Sequence, residues 1–334
     1  MESKDMSKAK AVSTNKVKKS REDWIFDIIL YTIGVLLIII TLYPMYFIVI
    51  ASFSDPAAVS NGQIMLLPKG VNFKGYKQLA SYAKLWTGYR NTIAYVIMGT
   101  LVTIVVNIPA SYALSRKHLY GRKFFTAFYL IPMFFTGGLI PTYLAVQRFH
   151  LLDTFWVMVV PFSVVTYYII VGRTFFNNSI PEDLWEAAQL DGCGYLGFFF
   201  KIVLPLSKAV IAVIALWAAV GQWNSYFNAL IYIRSETLQP LQIVLRSILV
   251  GNQTMSAMST GAAAVEAKQM ADLIKYAIIV VSSAPIMCMY PLVQKYFNQG
   301  VMPGSPVPYK VKTLSITKEP VSSIGGFRVL PDYD

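Results

Sequence analysis

Cysteine and histidine are nearly absent from this 334-residue chain, at two residues each. Two cysteines, Cys193 and Cys288, exclude a disulfide-stapled scaffold and a cysteine-rich metal site. Two histidines, His118 and His150, are too few for a histidine-built metal or acid–base centre. Charge is scarce too: 14% of residues are Asp, Glu, Lys or Arg, against about 25% in soluble domains. No Gly-Lys pair occurs, so the chain carries no P-loop for nucleotide phosphates. What remains is apolar, 55% hydrophobic with a mean hydropathy of +0.51, too apolar for a disordered chain.

The few charges leave six uncharged gaps of 19 to 27 residues, the first between Asp27 and Asp55 and the last between Lys275 and Lys295. A hydrocarbon core about 30 Å thick needs about 20 apolar residues in a helix. The gaps predict an all-α membrane protein with six transmembrane helices, at about 26–51, 89–115, 124–147, 154–174, 209–233 and 273–295. The alternative, a large soluble helical core, rarely supplies six such runs. The runs are continuous rather than alternating, which favours helices over barrel strands. A seventh gap, Arg246 to Glu266, is polar and rich in Gly and Ser from Gly251 to Gly261, and reads as part of an outside loop at 234–272. Internal prolines, Pro44, Pro109, Pro132, Pro141, Pro161, Pro285 and Pro291, predict kinks. The run from Ile28 to Ile50 exceeds a signal-peptide core and reads as an uncleaved first span.

Six crossings put both termini on one side. The dense loop Ser115–Lys123, with Arg116, Lys117, Arg122 and Lys123, and the lysine-rich tail at 1–23 assign that side to the cytoplasm. Topology therefore accounts for the net charge of +12, and no nucleic-acid motif accompanies it.

The second inner loop, about 178–208, does not look like a connector. Pro181 suits a first helical turn, with Asn178 or Ser179 as cap and Glu182 and Asp183 at the positive end of the helix. Leu184, Ala187, Ala188 and Leu190 or Asp191 fall at helical spacing, and Gly192 stops the helix. A second apolar segment ends at Leu204-Pro205. The result is a short helix–turn–helix outside the bilayer. Ala187 and Ala188 are small enough for another surface to approach closely, and Trp185 with Phe198–Phe200 can anchor the element at the interface or on a partner. An amphipathic interfacial helix without a partner is the equal alternative.

Glu186-Ala187-Ala188, Gly192, and Ile202-x-Leu204-Pro205 together resemble the EAA loop of bacterial ABC importer permeases. Gln222-Trp223-Asn224, Pro240-Leu241, Gln294-Lys295-Tyr296 and Gly300-Val301 follow in the order of the carbohydrate-uptake, maltose-type group, and the resemblance covers about residues 20–303. It implies a MetI-like permease fold with cytoplasmic termini, a permease domain at 24–303 and a multi-pass protein of the bacterial cytoplasmic membrane. It implies a coupling element made of Glu186, Ala187, Ala188, Asp191 and Gly192, supported by Ile202, Leu204 and Pro205. The implied partners are a second permease subunit, two copies of a cytoplasmic ATP-binding subunit, an extracytoplasmic sugar-binding protein and a carbohydrate, by preference an oligosaccharide. ATP and Mg would be used by the ATPase subunit, with no cofactor on this chain. Two departures stand out. Ser207, Lys208 and Ala209 replace a proline usual in the family, and the cytoplasmic extension 304–334 reads as extended or disordered and bears on the tail's contact with the ATPase pair. A polyol or glycerol phosphodiester is an alternative cargo. A secondary carrier would need carboxylates in its spans, and a membrane enzyme a polar catalytic cluster; neither is visible.

Polar groups within a span are costly and often functional. The fifth span holds Gln222, Asn224, Ser225 and Asn228 interleaved with Trp223, Tyr226 and Phe227. Amides and aromatic faces suit sugars, which makes Gln222, Trp223, Asn224, Ser225 and Asn228 candidates for a translocation pathway. An aromatic belt or helix–helix hydrogen bonding are the alternatives; Asn107 is a weaker candidate. By resemblance the long outer loop approaches the binding protein, through Gly251, Asn252, Gln253 and Gly261. His150 and Asp153 read as a turn pair rather than a catalytic dyad.

Overall fold

The computed structural model describes residues 21–258, 260–300, 321–322 and 328–329. The expectations for the basic tail and for the C-terminal extension fall almost wholly outside them. From 21 to 300 the regular elements are helical, in the order α1 (Arg21–Ser52), α2 (Pro56–Ser60), α3 (Lys74–Ser81), α4 (Ala83–Ser115), α5 (Arg122–Phe134), α6 (Leu139–Arg148), a 3-10 turn (Phe155–Met158), α7 (Thr166–Ser179), α8 (Glu182–Leu190) and α9 (Tyr195–Phe198). A π turn (Phe199–Val203) leads into α10 (Leu204–Leu206), α11 (Lys208–Trp223), α12 (Tyr226–Tyr232), α13 (Leu241–Met258) and α14 (Ala262–Gly300). In the extension, β1 (Val321–Ser322) and β2 (Arg328–Val329) pair antiparallel.

Among the described residues, three helical stretches are long and apolar enough to cross a membrane: Arg21–Ser52, Ala83–Ser115 and Ala264–Cys288. Two bent pairs also qualify, α5 with α6 at 119° and Tyr195–Leu206 with α11 at 78°. Three expected helices are thus not continuous. The third breaks at 135–138, where Gly138 takes φ +84°. The fourth begins with the 3-10 turn and an irregular stretch containing Pro161, and turns helical only at Thr166. The fifth breaks at Asn224. The expected outer loop is also largely helical, through α13 and the start of α14.

The chain divides into two units, one of residues 21–81 and 249–281, the other of 82–248 and 282 onward. In the first, α1 is exposed along almost its whole length and buries only Ile50, Ala51 and Ser52. Its end is tied down locally. Ser52 shares a hydrogen bond of 2.7 Å with the Tyr76 hydroxyl, and Phe53 stacks on Tyr76. Gly75 of α3 lies so close to α14 that a Cβ there would meet Leu273 Cγ at 2.9 Å.

In the second unit α4 is the hub and packs against α7 and α11. Small residues permit the crossings: a Cβ on Gly172 would meet Ser111 Oγ at 2.6 Å, and one on Gly99 would strike the Gln222 side chain. Polar side chains of α4 tie it to other segments, while among the described residues the Thr100 hydroxyl is buried without a partner. Asn91 donates to the carbonyls of Thr237 and Gln239, Thr92 accepts from the Leu241 amide, and Asn107 bridges to the irregular stretch before α7.

Candidate functional site

Helix α8 starts one residue later than the sequence implies. Pro181 is its N-cap in an extended conformation, no side chain caps it, and Asn178 and Ser179 belong to the last turn of α7. Glu182 and Asp183 still occupy the first turn, where the helix dipole favours them. The helix stops as expected. Gly192 takes φ +73°, its amide donates to Gln189 O at 2.9 Å, and the Cys193 amide donates to Ala188 O at 2.8 Å. This paired pattern is the Schellman ending, whose left-handed residue favours glycine.

The buried face differs from the expected one. Trp185 and Ala188, three residues apart, are buried, whereas Leu184, Ala187 and Leu190 are exposed. Trp185 stacks on Tyr195 at 4.5 Å between centroids and meets Phe198 edge-on at 5.1 Å, so the aromatic anchors close the element upon itself. Phe198, Phe199 and Val203 continue this core into Ile108 of α4, Phe176 of α7 and Ile214 of α11. Phe200 stays exposed. The elbow therefore stands on the same core that holds α4, α7 and α11 together.

The second arm runs through the π turn into α10. Pro205 has no N–H to give the carbonyl four residues earlier, which accounts for a widened turn just ahead of it. Ile202 and Leu204 pack against the core, Pro205 is exposed, and the Ser207 hydroxyl bonds back to Val203 O at 2.7 Å. Glu186, Ala187, Asp191 and Gly192 form an exposed edge, and Ala188 faces inward. One residue missed in the sequence completes the brace. Arg116, counted only as a loop cation, donates through Nη2 to Ile180 O at 3.1 Å and lies over the Tyr112 ring at 4.9 Å. The signal was an aromatic residue one helical turn ahead of a terminal arginine. Beside α8 a cavity of about 520 Å³ opens, lined among others by Tyr112, Arg116, Glu182, Trp185, Glu186 and Tyr195.

The polar cluster of the fifth segment is not one helical face. Helix α11 ends at Trp223, and the break at Asn224–Ser225 removes the three-residue spacing that would align Gln222, Ser225 and Asn228. Gln222 donates to Met158 O at 3.1 Å across the unit, and the Trp223 indole donates to Ser282 O at 3.0 Å. Ser225 bonds to Gln222 O and Asn224 to Val220 O within the break, and Asn228 is half-buried. Asn107 is fully buried and committed to Thr103 O, Ser163 O and the Val165 amide.

In the other unit, Gly251, Asn252 and Gln253 lie within α13, and Gly261 takes φ +66° just before α14. His150 and Asp153 both have positive φ, as a turn pair would. Asp153 Oδ1 accepts the amides of Arg234 and Ser235 at 2.8 Å each, and the Ser235 hydroxyl donates to Oδ2. The Ser235 hydroxyl and amide hold the carboxyl below its ordinary pKa.

Residues 110–303 match the family described as "Binding-protein-dependent transport system inner membrane component". The chain is 36% identical over 267 residues to Protein LplC of Bacillus subtilis (strain 168), covering 80% of this chain and 89% of that one. It is 34% identical over 285 residues to the same organism's polygalacturonan/rhamnogalacturonan transport system permease protein YtcP, covering 84% and 98%. Among solved structures, it resembles a chain in the crystal structure of a bacterial ABC transporter involved in the import of the acidic polysaccharide alginate. The TM-score is 0.76 at 33% identity, over 84% of this chain and 99% of that one.

Proposed function

The chain belongs to the binding-protein-dependent transport system inner membrane components, and on that premise we propose that it is one of two membrane-crossing subunits of an ATP-driven importer of oligosaccharides. The carbohydrate assignment is supported by a relative named for polygalacturonan and rhamnogalacturonan transport and by a structural neighbour from a transporter involved in the import of alginate. Six crossings with both termini cytoplasmic are supported by the six uncharged gaps and the basic loop at 115–123, and the long and bent helices account for up to five of them among the described residues. A second permease subunit, two ATP-binding subunits that use ATP and Mg, and an extracytoplasmic binding protein complete the assembly, which works in the cytoplasmic membrane of a bacterium. The permease domain spans about 24–303, between the basic tail and the C-terminal extension.

The observation that carries the coupling role is the elbow. Its inner face is fixed by Trp185, Ala188 and Phe198, and its outer edge offers Glu186, Ala187, Asp191 and Gly192. A partner pressing on that edge moves a braced lever, because the aromatic core transmits the displacement to α4, α7 and α11. Ile202, Leu204 and Pro205 form the second arm. Closure of the ATPase pair would rock these helices and open the pathway outward, alternating access by rigid-body motion. Gln222, Trp223, Asn224, Ser225 and Asn228 border the pathway, where amides and aromatic faces suit a sugar. Gly251, Asn252, Gln253 and Gly261 approach the binding protein.

Gly192→Val tests the coupling. A β-branched residue in the left-handed region costs about 1–2 kcal/mol and unwinds the cap, though a Cβ there meets nothing within 4 Å. The variant is expected in the membrane at the normal amount, with binding-protein-stimulated ATP hydrolysis and uptake reduced at least about tenfold. Normal uptake by a deletion strain carrying the variant would refute the role.

A further inference from the structure

A second cavity, of about 760 Å³, opens where α5 begins, and four cations line it: Lys117, Arg122, Lys123 and Arg173. Among the described residues no carboxylate lines it and none of the four is ion-paired. Arg122 Nε and Thr126 Oγ1 are buried there without a hydrogen-bond partner. Gathered cations repel one another, and a buried polar atom without a partner is costly, so the arrangement is incomplete without an anion. The walls change character along α5. Thr126, Ala127 and Leu130 continue the lining, and Phe134, one helical turn beyond Leu130 on the same face, stands 73% exposed.

We propose that this cavity seats the phosphate headgroup of an anionic phospholipid of the cytoplasmic leaflet, with the acyl chains lying along Leu130 and Phe134. A phosphodiester supplies acceptor oxygens for the Arg122 and Arg173 guanidinium groups and for the Thr126 hydroxyl, and its charge offsets Lys117 and Lys123 at the rim. The apolar strip decides between possible anions. Free phosphate gains nothing from Leu130 and the exposed Phe134, whereas a lipid places its chains there and its headgroup among the cations. The site lies on α5, α7 and the loop before α5, apart from the exposed edge of α8. It rests on the membrane-spanning reading but not on the identity of the cargo.

The test is native mass spectrometry of the full-length chain in detergent, offered equal amounts of phosphatidylglycerol and phosphatidylcholine. The unmodified chain is expected to retain phosphatidylglycerol with a preference of about tenfold, and Arg122→Gln/Arg173→Gln to reduce that below about twofold. Lys117→Gln/Lys123→Gln changes exposed side chains and is expected to cost about threefold without altering thermal unfolding, so it decides the matter if the arginine pair does not fold. Lys84→Gln, an exposed cation elsewhere, should leave the preference intact. An unchanged preference in both double variants overturns the proposal. So does loss of all bound lipid to millimolar inorganic phosphate, which identifies a free-anion site, or a variant that keeps its lipid but loses the ATP-binding subunits, which identifies an acidic protein partner. Extraction of the unmodified chain from membranes by alkaline carbonate would instead defeat the membrane reading itself.

Discussion

Helices α1 and α4 are nearly equal in length, at 32 and 33 residues, and each contains one proline. By composition alone they are the same object, an apolar rod long enough to cross a bilayer. Their surroundings differ. The most apolar stretch of α1 has none of its residues buried, whereas α4 is the axis on which α7 and α11 pack. Towards its end α1 also reaches out, through Tyr43 and Tyr46 to the Met65 and Leu66 carbonyls and through Ser52 to Tyr76, so the distinction lies in the polar residues in the middle of the helix. The threonines of α1, Thr32 and Thr41, return their hydroxyls to the helix's own carbonyls at Ile28 and Leu37. Those of α4 reach outward: Asn91, Thr92 and Asn107 bond to other segments, and Gly88 and Gly99 admit Leu241 and Gln222 at close range. A polar side chain aimed away from its own helix marks a face that meets protein, and one that serves only its own backbone is compatible with lipid.

The contrast is sharpest at Asn107. Asn107→Leu leaves Ser163 O and the Val165 amide without their partner in a dry interior. At about 1–3 kcal/mol for each unsatisfied group, the variant should lose about 3 kcal/mol. That amounts to roughly 10 °C in thermal unfolding of the detergent-solubilised chain. No change would mean that α4 is held by its apolar contacts alone. Gly172→Ala is expected to cost somewhat less, about 1–3 kcal/mol, since the new Cβ would sit 2.6 Å from Ser111 Oγ. Ser111→Gly in the same chain should recover most of that loss. A failure of the pair to rescue would locate the strain elsewhere.

This also explains what the sequence can reveal. The gap from Arg90 to Arg116 announces α4, because charge is expensive inside a bilayer. The breaks at 135–138, 159–165 and 224–225 are not announced in that way. They depend on partners far along the chain, such as Asn107 for the backbone at 163–165 and Met158 for Gln222. The elbow divides similarly. Gly192 is legible as a stop because a left-handed cap demands little beyond glycine. Which alanine turns inward is not legible locally; it follows from where Trp185 finds Tyr195 and Phe198.

Asp153 makes the same kind of tie as Asn107, but at a turn and with a group that titrates. Its carboxylate holds the Arg234 and Ser235 amides, and its pKa is lowered chiefly by the Ser235 hydroxyl and amide. A lowered folded value means the stabilisation is complete above the ordinary carboxylate range, near pH 4, and is lost as pH falls through the lower folded value. Asp153→Asn should therefore unfold at a lower temperature than the unmodified chain at neutral pH, with the two curves converging in acid. A difference that persists unchanged into acid would assign the tie to geometry rather than charge.

The smallest expected effect breaks the comparison if it is wrong. Gly34 lies in the middle of α1, and a Cβ there would meet nothing within 4 Å, in contrast to Gly172 on the partner helix of α4. If lipid surrounds this part of α1, Gly34→Ala removes a weak helix former without striking anything. The chain should then be unchanged or up to about 1 kcal/mol more stable in thermal unfolding. Assembly with the other transporter subunits should be unaffected, as judged by how much of the complex co-purifies. A loss of complex with no loss of stability would show that a neighbouring subunit approaches Gly34 as closely as Ser111 approaches Gly172. The bare face of α1 would then be a protein interface, and the self-directed hydroxyls of Thr32 and Thr41 would no longer serve as the sign of a lipid-facing helix.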